Sequence, residues 1–406
     1  MAETGWVINL ADSPERKEGA MPPPGLSAKF VAIGIRRRHR ALVRGLAGGG
    51  DLRFWPPASP DIRPVPVPEG LVDAALRTAI RQPRGLASAL KKSVLEGQWS
   101  SYHRRLSRLD PAIVACWNGS KGHRLLAMEA ARKTGHRTLY LEDSPLPGRR
   151  TVDFRGINCA GSLPATGGFY HAWAERQGGA DLSAWRSLRG SLVARPSSKR
   201  ADVGQAPGGS DRGVGPYVFA PLQVPGDSQL TLFGDWIPTV EDMVDALRAA
   251  SAALPEGWHV RVKEHPSSSV ACGALHRIAA MPGSRIVVDN LTETFTQVAG
   301  SRAVVTVNSS VGFQAFFWDR PVIHLGHAFW GVPGVAAKAG TRDGLAALLG
   351  EAESLSFDPA LRDAFMSYCL RHFPAERDIV EGGFTIESVA ARDAERESVM
   401  RDVAGD

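Results

Sequence analysis

The chain has 406 residues, 43% hydrophobic and 22% charged, with 43 Gly, 28 Pro and 4 Cys. At roughly 100–200 residues per domain, that length predicts two or three domains, and the apolar fraction excludes broad disorder. No run approaches the roughly 18 apolar residues of a membrane-spanning helix. The mixed charges of MAETGWVINLADSPERKEG do not make a secretory signal. Cys116, Cys159, Cys272 and Cys369 show no CxxC spacing, which excludes a disulfide scaffold and a structural zinc site and predicts a reducing, cytoplasmic compartment.

The net charge of +6 is unevenly distributed. Residues 1–150 hold 25 Lys+Arg against 13 Asp+Glu, a balance of +12, and the remainder carries −6. Arg36, Arg37, Arg38 and Arg40, then Lys91 and Lys92, then Arg104, Arg105 and Arg108 form the basic clusters. Such a half is either a solvated face or the docking side for an anion, and a nucleic acid, an anionic lipid surface and an acidic sugar all qualify. No zinc-finger spacing or RNA-recognition aromatic signature favours nucleic acid.

Along the chain, AKFVAIG (28–34) reads as a strand followed by an Arg-rich helix start, 50–70 as a Pro-rich loop and LVDAALRTAI (71–80) as a helix. DPAIVACWNG (110–119) has the form of a buried strand ending in a turn. KGHRLLAMEAARKTG (121–135) reads as an amphipathic helix and RTLYLED (137–143) as a strand. The Gly-, Ser- and Pro-rich segment 196–216 reads as a linker. After it the alternation restarts, with strands in 217–223, 259–266, 285–290, 303–308 and 321–326. Helices are predicted at 239–254, 272–281, 292–299, 309–319 and 341–350, and a polar helical tail from 357. Apolar runs alternating with 3.6-period segments predict an α/β fold of two Rossmann-like domains facing across a cleft. The expected division is 1–205 (a basic first domain), 206–350 (the second domain) and 351–406 (C-terminal helices packing back on the first domain).

The informative polar residues follow strands in the second half: PLQVPGDSQL (221–230), KEHP (263–266), VTVNSSVGFQAF (305–316) and HLGHAFWGVPG (324–334). Each has a plain structural explanation beside a functional one. Asn308 and Ser309 suit a helix cap or a phosphate site. His265 suits a buried core position or a ligand contact. Asp227 suits a turn, and Lys263 with Glu264 an exposed pair. Four polar strand ends in one α/β domain are what a binding site at the sheet's carboxyl edge requires. The nucleotide-binding GxGxxG and P-loop patterns, HExxH and GxSxG are absent, so nothing calls for a nicotinamide cofactor, a metal or a hydrolase elbow.

The ordered segments PLQVPGDSQL, KEHP and VTVNSSVGFQAFFWDRPVIHLGHAFWGVPG resemble the bacterial capsular-polysaccharide β-Kdo transferase family. CWNGSKGHRLLAMEAARKTG and YLEDSPLPGRRTVDFRGIN are similar to that family's Trp-Asn-Gly and Glu-x-x-x-x-Pro segments, so the resemblance covers about 110–345. It implies a GT-B glycosyltransferase that carries β-linked Kdo from CMP-Kdo to a lipid-linked acceptor with retention. No cofactor or metal is expected, and the enzyme would work peripherally at the cytoplasmic face of the inner membrane beside capsule assembly and export proteins.

The resemblance also implies site roles. Asp227 would be the nucleophile, and His265 would stabilise the departing phosphate. Glu142 or Asp153 would be the acid/base, with Asp143 an alternative match for the acidic position. Gln223, Lys263, Pro266, Asn308, Ser309 and Ser310 would surround the nucleotide. Asn118, Arg149, Arg150 and His327 would meet the sugar, Arg149, Arg150 and Lys263 pairing with its carboxylate. Two other readings stand beside this one: a transferase using another CMP- or UDP-activated sugar, since the His-Pro pair is shared with bacterial sialyltransferases, and a non-catalytic capsule-assembly partner that has kept the fold.

Overall fold

The computed structural model describes residues 29–79, 83–197, 199–206 and 215–405. These form two compact units, the first from 29–144, 148–163 and 371–405, the second from 145–147 and 164–370. The main transitions therefore fall at 163 and 370 rather than at the composition breaks of 205 and 350. Aromatic packing explains the earlier one. In the helix Gly167–Arg176, Phe169, Tyr170 and Trp173 pack edge-on against Tyr368 of the helix Pro359–His372, which commits residues well before the linker to the second unit.

The first unit holds β1 (Phe30–Ile33), β2 (Leu52–Trp55), β3 (Ile113–Trp117), β4 (Arg137–Asp143) and β5 (Arg150–Asp153) in the order β2-β1-β3-β4-β5. All pair in parallel except β5, which runs antiparallel to β4. β1 and β3 are buried on both faces, as parallel strands between helix layers must be. β2 lies inside the stretch that reads as a Pro-rich loop. The 21-residue helix Leu86–Leu106 also escapes the periodicity reading, because its buried side chains (Leu95, Trp99, Ser100, Tyr102 and Leu106) occupy only its second half. The helix Arg40–Ala47 buries Leu42, Val43, Leu46 and Ala47 and stops at Gly48, whose φ of 54° suits glycine.

The second unit holds β6 (Tyr217–Pro221), β7 (His259–Lys263), β8 (Ile286–Val288), β9 (Ala303–Thr306), β10 (Val322–His324) and β11 (Ala337–Lys338). Their order is β11-β10-β9-β6-β7-β8, parallel throughout. Val218, Ala220, Val260, Val262, Val305 and Ile323 form the centre of its core with Leu247 and Leu345 from flanking helices. Thr239 caps the helix Val240–Ala250 by accepting the Asp242 amide, as its position before that helix predicts. Both units are thus Rossmann-like α/β sheets, the fold class predicted from sequence. Among the described residues no helix is long and apolar enough to cross a membrane.

The segment from Arg371 on belongs to the first unit through specific contacts. Arg392 donates to the carbonyls of His372 (2.6 Å) and Val152 (2.7 Å), and Ala375 bridges Arg149 in antiparallel fashion. Gly45 permits the closest approach: a Cβ there would stand 1.8 Å from the Ile379 carbonyl oxygen. Gly45→Ala is expected to cost roughly 1–3 kcal/mol or more by overpacking. The expected signature is a lower urea midpoint and faster protease cleavage within 371–405. Unchanged values would show that this contact does not hold the segment.

Candidate functional site

The strand registers of the second unit build a polar row. Val218 pairs with Ala303 on β9, and Tyr217 pairs with His259 on β7. Carrying both registers beyond the last paired residues sets Gln223 level with Asn308 on one side and with His265 on the other. β6 is the strand from which the chain departs first to one side (β7, β8) and later to the other (β9, β10), so Gln223 and Asn308 flank a topological switch point, where α/β sheets bind ligands. Gln223, 6% exposed, donates from Nε2 to Asn308 Oδ1 (2.9 Å). Asn308 Nδ2 in turn donates to the carbonyls of Gln229 (3.0 Å) and Phe233 (3.2 Å), tying the short helix Ser228–Phe233 to the end of β9.

Asp227 is the N-cap of that helix, Oδ1 accepting the Gln229 amide at 3.0 Å. The sequence reading of this residue as part of a turn is refined to a helix cap, and its carboxylate also acts beyond the cap. Its charge bears on His265, opposing the larger effects that push the imidazole pKa down to about 4, which are burial first and the charge of Arg195 next. Asp227 and His265 thus share one edge of one sheet. His265 Nδ1 accepts the Ser267 amide at 3.0 Å, so the neutral ring carries its proton on Nε2 and offers a donor there. Ser309 caps the turn Ser310–Gln314 by accepting the Val311 amide (3.2 Å), and Ser310 is exposed beside it. Gly312 is needed in that turn because a Cβ would meet the Trp330 ring at 2.5 Å.

Several residues expected to meet ligand are committed elsewhere. Lys263 is 2% exposed, and its ammonium donates to the carbonyls of Gly204 (2.7 Å), Asn290 (2.9 Å) and Thr292 (2.6 Å). Burial pushes its pKa down to about 8. It is a structural cation, neither the exposed pair partner nor the sugar-carboxylate ligand expected from sequence. Its neighbour Glu264 is 3% exposed and accepts from Arg200, Cys272, Asn290 and His276. Burial raises its pKa, but these bonds outweigh that and hold it at about 2.

In the first unit, Asp153 is fully buried. It accepts the amides of Arg155, Gly156 and Ser162 and the Ser162 hydroxyl, and lies 3.5 Å from His372. It organises a loop and is not open to act as an acid/base. Arg149 donates to the Phe373 carbonyl, and Arg150 pairs with Glu376 and Asp143, so these arginines clamp the C-terminal segment rather than present a free fork to a sugar.

Glu142 is half-exposed at the end of β4 and accepts from Asn118 Nδ2 (2.8 Å) and the Asp143 amide (3.0 Å). Asn118 adopts φ 67°, a left-handed geometry that asparagine tolerates, which aims its amide at Glu142. It serves as a positioning group, 8% exposed, rather than as an open sugar contact. His327 is exposed, 3.7 Å from Asp235, which Lys338 also pairs at 3.1 Å. The Pro266 carbonyl accepts from the Ser197 hydroxyl (3.1 Å).

That last bond belongs to a feature hidden in the sequence. The segment read as a linker is partly built into the second sheet's edge: Arg200 grips Glu264, Gly204 accepts from Lys263, and Gln205 accepts from Thr294. Residues 207–214 lie outside those described. The docking carries the exposed Arg195 and Lys199 close enough to His265 for both charges to depress its pKa. These are cations beside the site that composition alone assigns to a linker. Among the described residues no group of three or more His, Cys, Asp or Glu is placed to hold a metal.

Lys263→Met should leave three buried carbonyls unpaired and lower stability by about 3 kcal/mol in urea denaturation. An unchanged midpoint with selectively weakened nucleotide binding would restore Lys263 to the ligand.

Residues 208–372 match the model of the capsule polysaccharide biosynthesis protein family. A curated relative, protein FixF of Sinorhizobium fredii, is 30% identical over 278 residues, 68% of this chain, and the match spans 62% of that protein's length. Among solved structures, the Thermosulfurimonas dismutans KpsC β-Kdo 2,7 transferase aligns over 87% of this chain and 98% of its own, with 11% identity and a TM-score of 0.47. The β-Kdo 2,4 transferase of the same KpsC aligns over 63% and 78%, with 21% identity and a TM-score of 0.39. The fold itself rests on the two sheet topologies. Through residues 208–372 the chain is similar to the capsule polysaccharide biosynthesis protein family.

Proposed function

We propose that this protein is a glycosyltransferase of capsular polysaccharide synthesis that transfers β-Kdo from CMP-Kdo to a lipid-linked acceptor with retention. The observation that carries this reading is the Gln223–Asn308 contact at the switch point, with Asp227 capping the helix that Asn308 holds, His265 level with Gln223 just past the neighbouring strand, and Arg195 and Lys199 adding positive charge for an anionic donor. In the first displacement the Asp227 carboxylate attacks the anomeric carbon, the bond to the phosphate oxygen breaks, and CMP leaves with the electron pair. His265 Nε2–H donates to the phosphate as its charge grows, a stabilisation of developing charge by a preset donor. In the second displacement the acceptor hydroxyl attacks the same carbon from the opposite side, its proton passes to a base, and Asp227 is released. Ser309 and Ser310 are assigned to the nucleotide, and His327 to the sugar's surroundings. The reaction as written needs no metal or cofactor. It places the enzyme at the cytoplasmic membrane face, with capsule assembly and export proteins as neighbours and no role for nucleic acid.

Asp227→Asn separates cap from nucleophile, because asparagine caps a helix about as well as aspartate. Stability should hold, while CMP release from CMP-Kdo falls by at least about 10²-fold. His265→Ala should lower turnover by about 10²–10³-fold. Parallel assays with CMP-sialic acid test the alternative donor. Equal turnover of both donors, or full activity of Asp227→Asn, would sink the proposal, and capsule formation with Asp227→Asn would favour a non-catalytic assembly role.

The same histidine sets a pH signature. Since its folded pKa of about 4 lies below the ordinary value of 6.5, the unfolded chain binds a proton that the folded chain refuses between those values. His265 therefore adds a loss of stability as pH falls from 6.5 towards 4, and no change of protonation in the free enzyme near 6.5. In His265→Gln the stability loss over that window should be smaller, measured by thermal denaturation across the range.

A further inference from the structure

The helix Leu86–Leu106 is too long for the sheet it covers. Twenty-one residues span about 30 Å at 1.5 Å per residue. β3, its partner in the crossover, has five residues and spans about 16 Å. The carboxyl end of the helix is fixed at the sheet's amino edge, where His136 joins the Leu106 carbonyl (3.0 Å) to the Ala112 amide (3.1 Å). The excess therefore projects past the opposite edge, the one where β1 ends before Arg36–Arg38 and β4 ends in Glu142-Asp143. Burial agrees: no side chain from Leu86 to Val94 is buried, and the buried set starts at Leu95.

The projecting part does not have the composition of a solvated face. Leu86 is 92% exposed, Leu90 69% and Val94 38%, four residues apart and so in one stripe. Ile62, 97% exposed, extends that stripe, since the Asp61 amide beside it donates to the Gly97 carbonyl (2.9 Å), Gly97 lying on the same helix face. Basic residues surround it. The projecting stretch 84–94 has three, Arg84, Lys91 and Lys92, and no acidic residue. The nearby carboxylates Asp61 and Asp73 are paired with Arg63 and Lys92. A convex helix with an apolar ridge and long cationic side chains on its flanks complements an anionic plane: leucines enter the apolar layer while lysine stems lie along it with their ammoniums outward.

We propose that Leu86, Leu90, Val94 and Ile62 form a membrane-insertion ridge, which docks the first unit on an anionic bilayer with its carboxyl sheet edge towards the lipid. This deepens the proposed function by naming where a lipid-borne acceptor is met, and it can fail independently of it, since binding needs no turnover.

The test is flotation of the full chain with vesicles of equal parts phosphatidylglycerol and phosphatidylcholine, against pure phosphatidylcholine. Binding should require the anionic lipid and weaken with added salt. The Leu86→Ser/Leu90→Ser double variant should bind at least about tenfold more weakly. An environment-sensitive dye on Leu86→Cys should shift to the blue on anionic vesicles only. CMP release from CMP-Kdo without lipid should be unchanged in the double variant, which shows that it is folded. No binding by the native chain, equal binding by the double variant, an unshifted dye, or a self-associated chain that the double variant renders monomeric without any vesicle binding would overturn the proposal. Loss of CMP release in Asp227→Asn with normal flotation leaves the ridge standing, whereas flotation without CMP-Kdo turnover in the native chain removes only the enzymatic reading.

Discussion

The candidate site of the second unit depends on one amide–amide contact, Gln223 to Asn308, made where the chain's path through the sheet changes direction. At that point strands β6 and β9 stay paired while the helices that follow them leave on different faces, which opens a crevice at their ends. Polar groups lining such a crevice lose water and must find partners. Gln223 and Asn308 satisfy each other, and Asn308 uses its remaining donor on the carbonyls of the Ser228–Phe233 helix. The position of Asp227 is therefore set by the end of a strand some eighty residues later in the chain. Loss of either amide would loosen the cap that presents the carboxylate.

Around that contact lies a second layer of buried charge. Lys263 and Glu264 are adjacent in sequence, yet they point into different networks: the lysine to three carbonyls, the glutamate to Arg200, Asn290, His276 and the Cys272 amide. Breaking a buried charge's partnerships is costly, so each network enforces the conformation of the loops it touches. Their joint effect is to strap residues 197 and 199–206 onto the edge of the sheet and to bring Arg195 and Lys199 beside His265. In the first unit, Asp153, His372 and Arg392 form a comparable buried cluster that joins the 155–162 loop to the C-terminal segment. Coordinates therefore turn four charged residues expected to meet substrate (Lys263, Asp153, Arg149 and Arg150) into parts of the frame.

The polar row Asn308–Gln223–His265 was legible from sequence as three strand ends, since short apolar runs followed by Gln, His-Pro and Asn-Ser-Ser announce where strands stop. Asp227 was legible as a turn residue and as a site residue, and the structure makes it a helix cap. The helix Leu86–Leu106 was not legible, because a helix packed along only half its length shows half a period. β2 was hidden among prolines and is a short edge strand, where proline neighbours cost little.

By itself, then, the sequence determined the α/β class, most of the parallel strands, the two-unit plan and the row of polar residues at the second sheet's carboxyl edge. These follow from local periodicity and from where apolar runs end, and both are written in neighbouring residues. Tertiary structure alone decided which charges remain available. Whether a lysine, an arginine or an aspartate is buried depends on carbonyls and counter-charges brought from tens or hundreds of residues away, as Arg149 meets Phe373 and Lys263 meets Gly204. Spacing along the chain cannot encode that, because burial and charge pairing are properties of the folded neighbourhood.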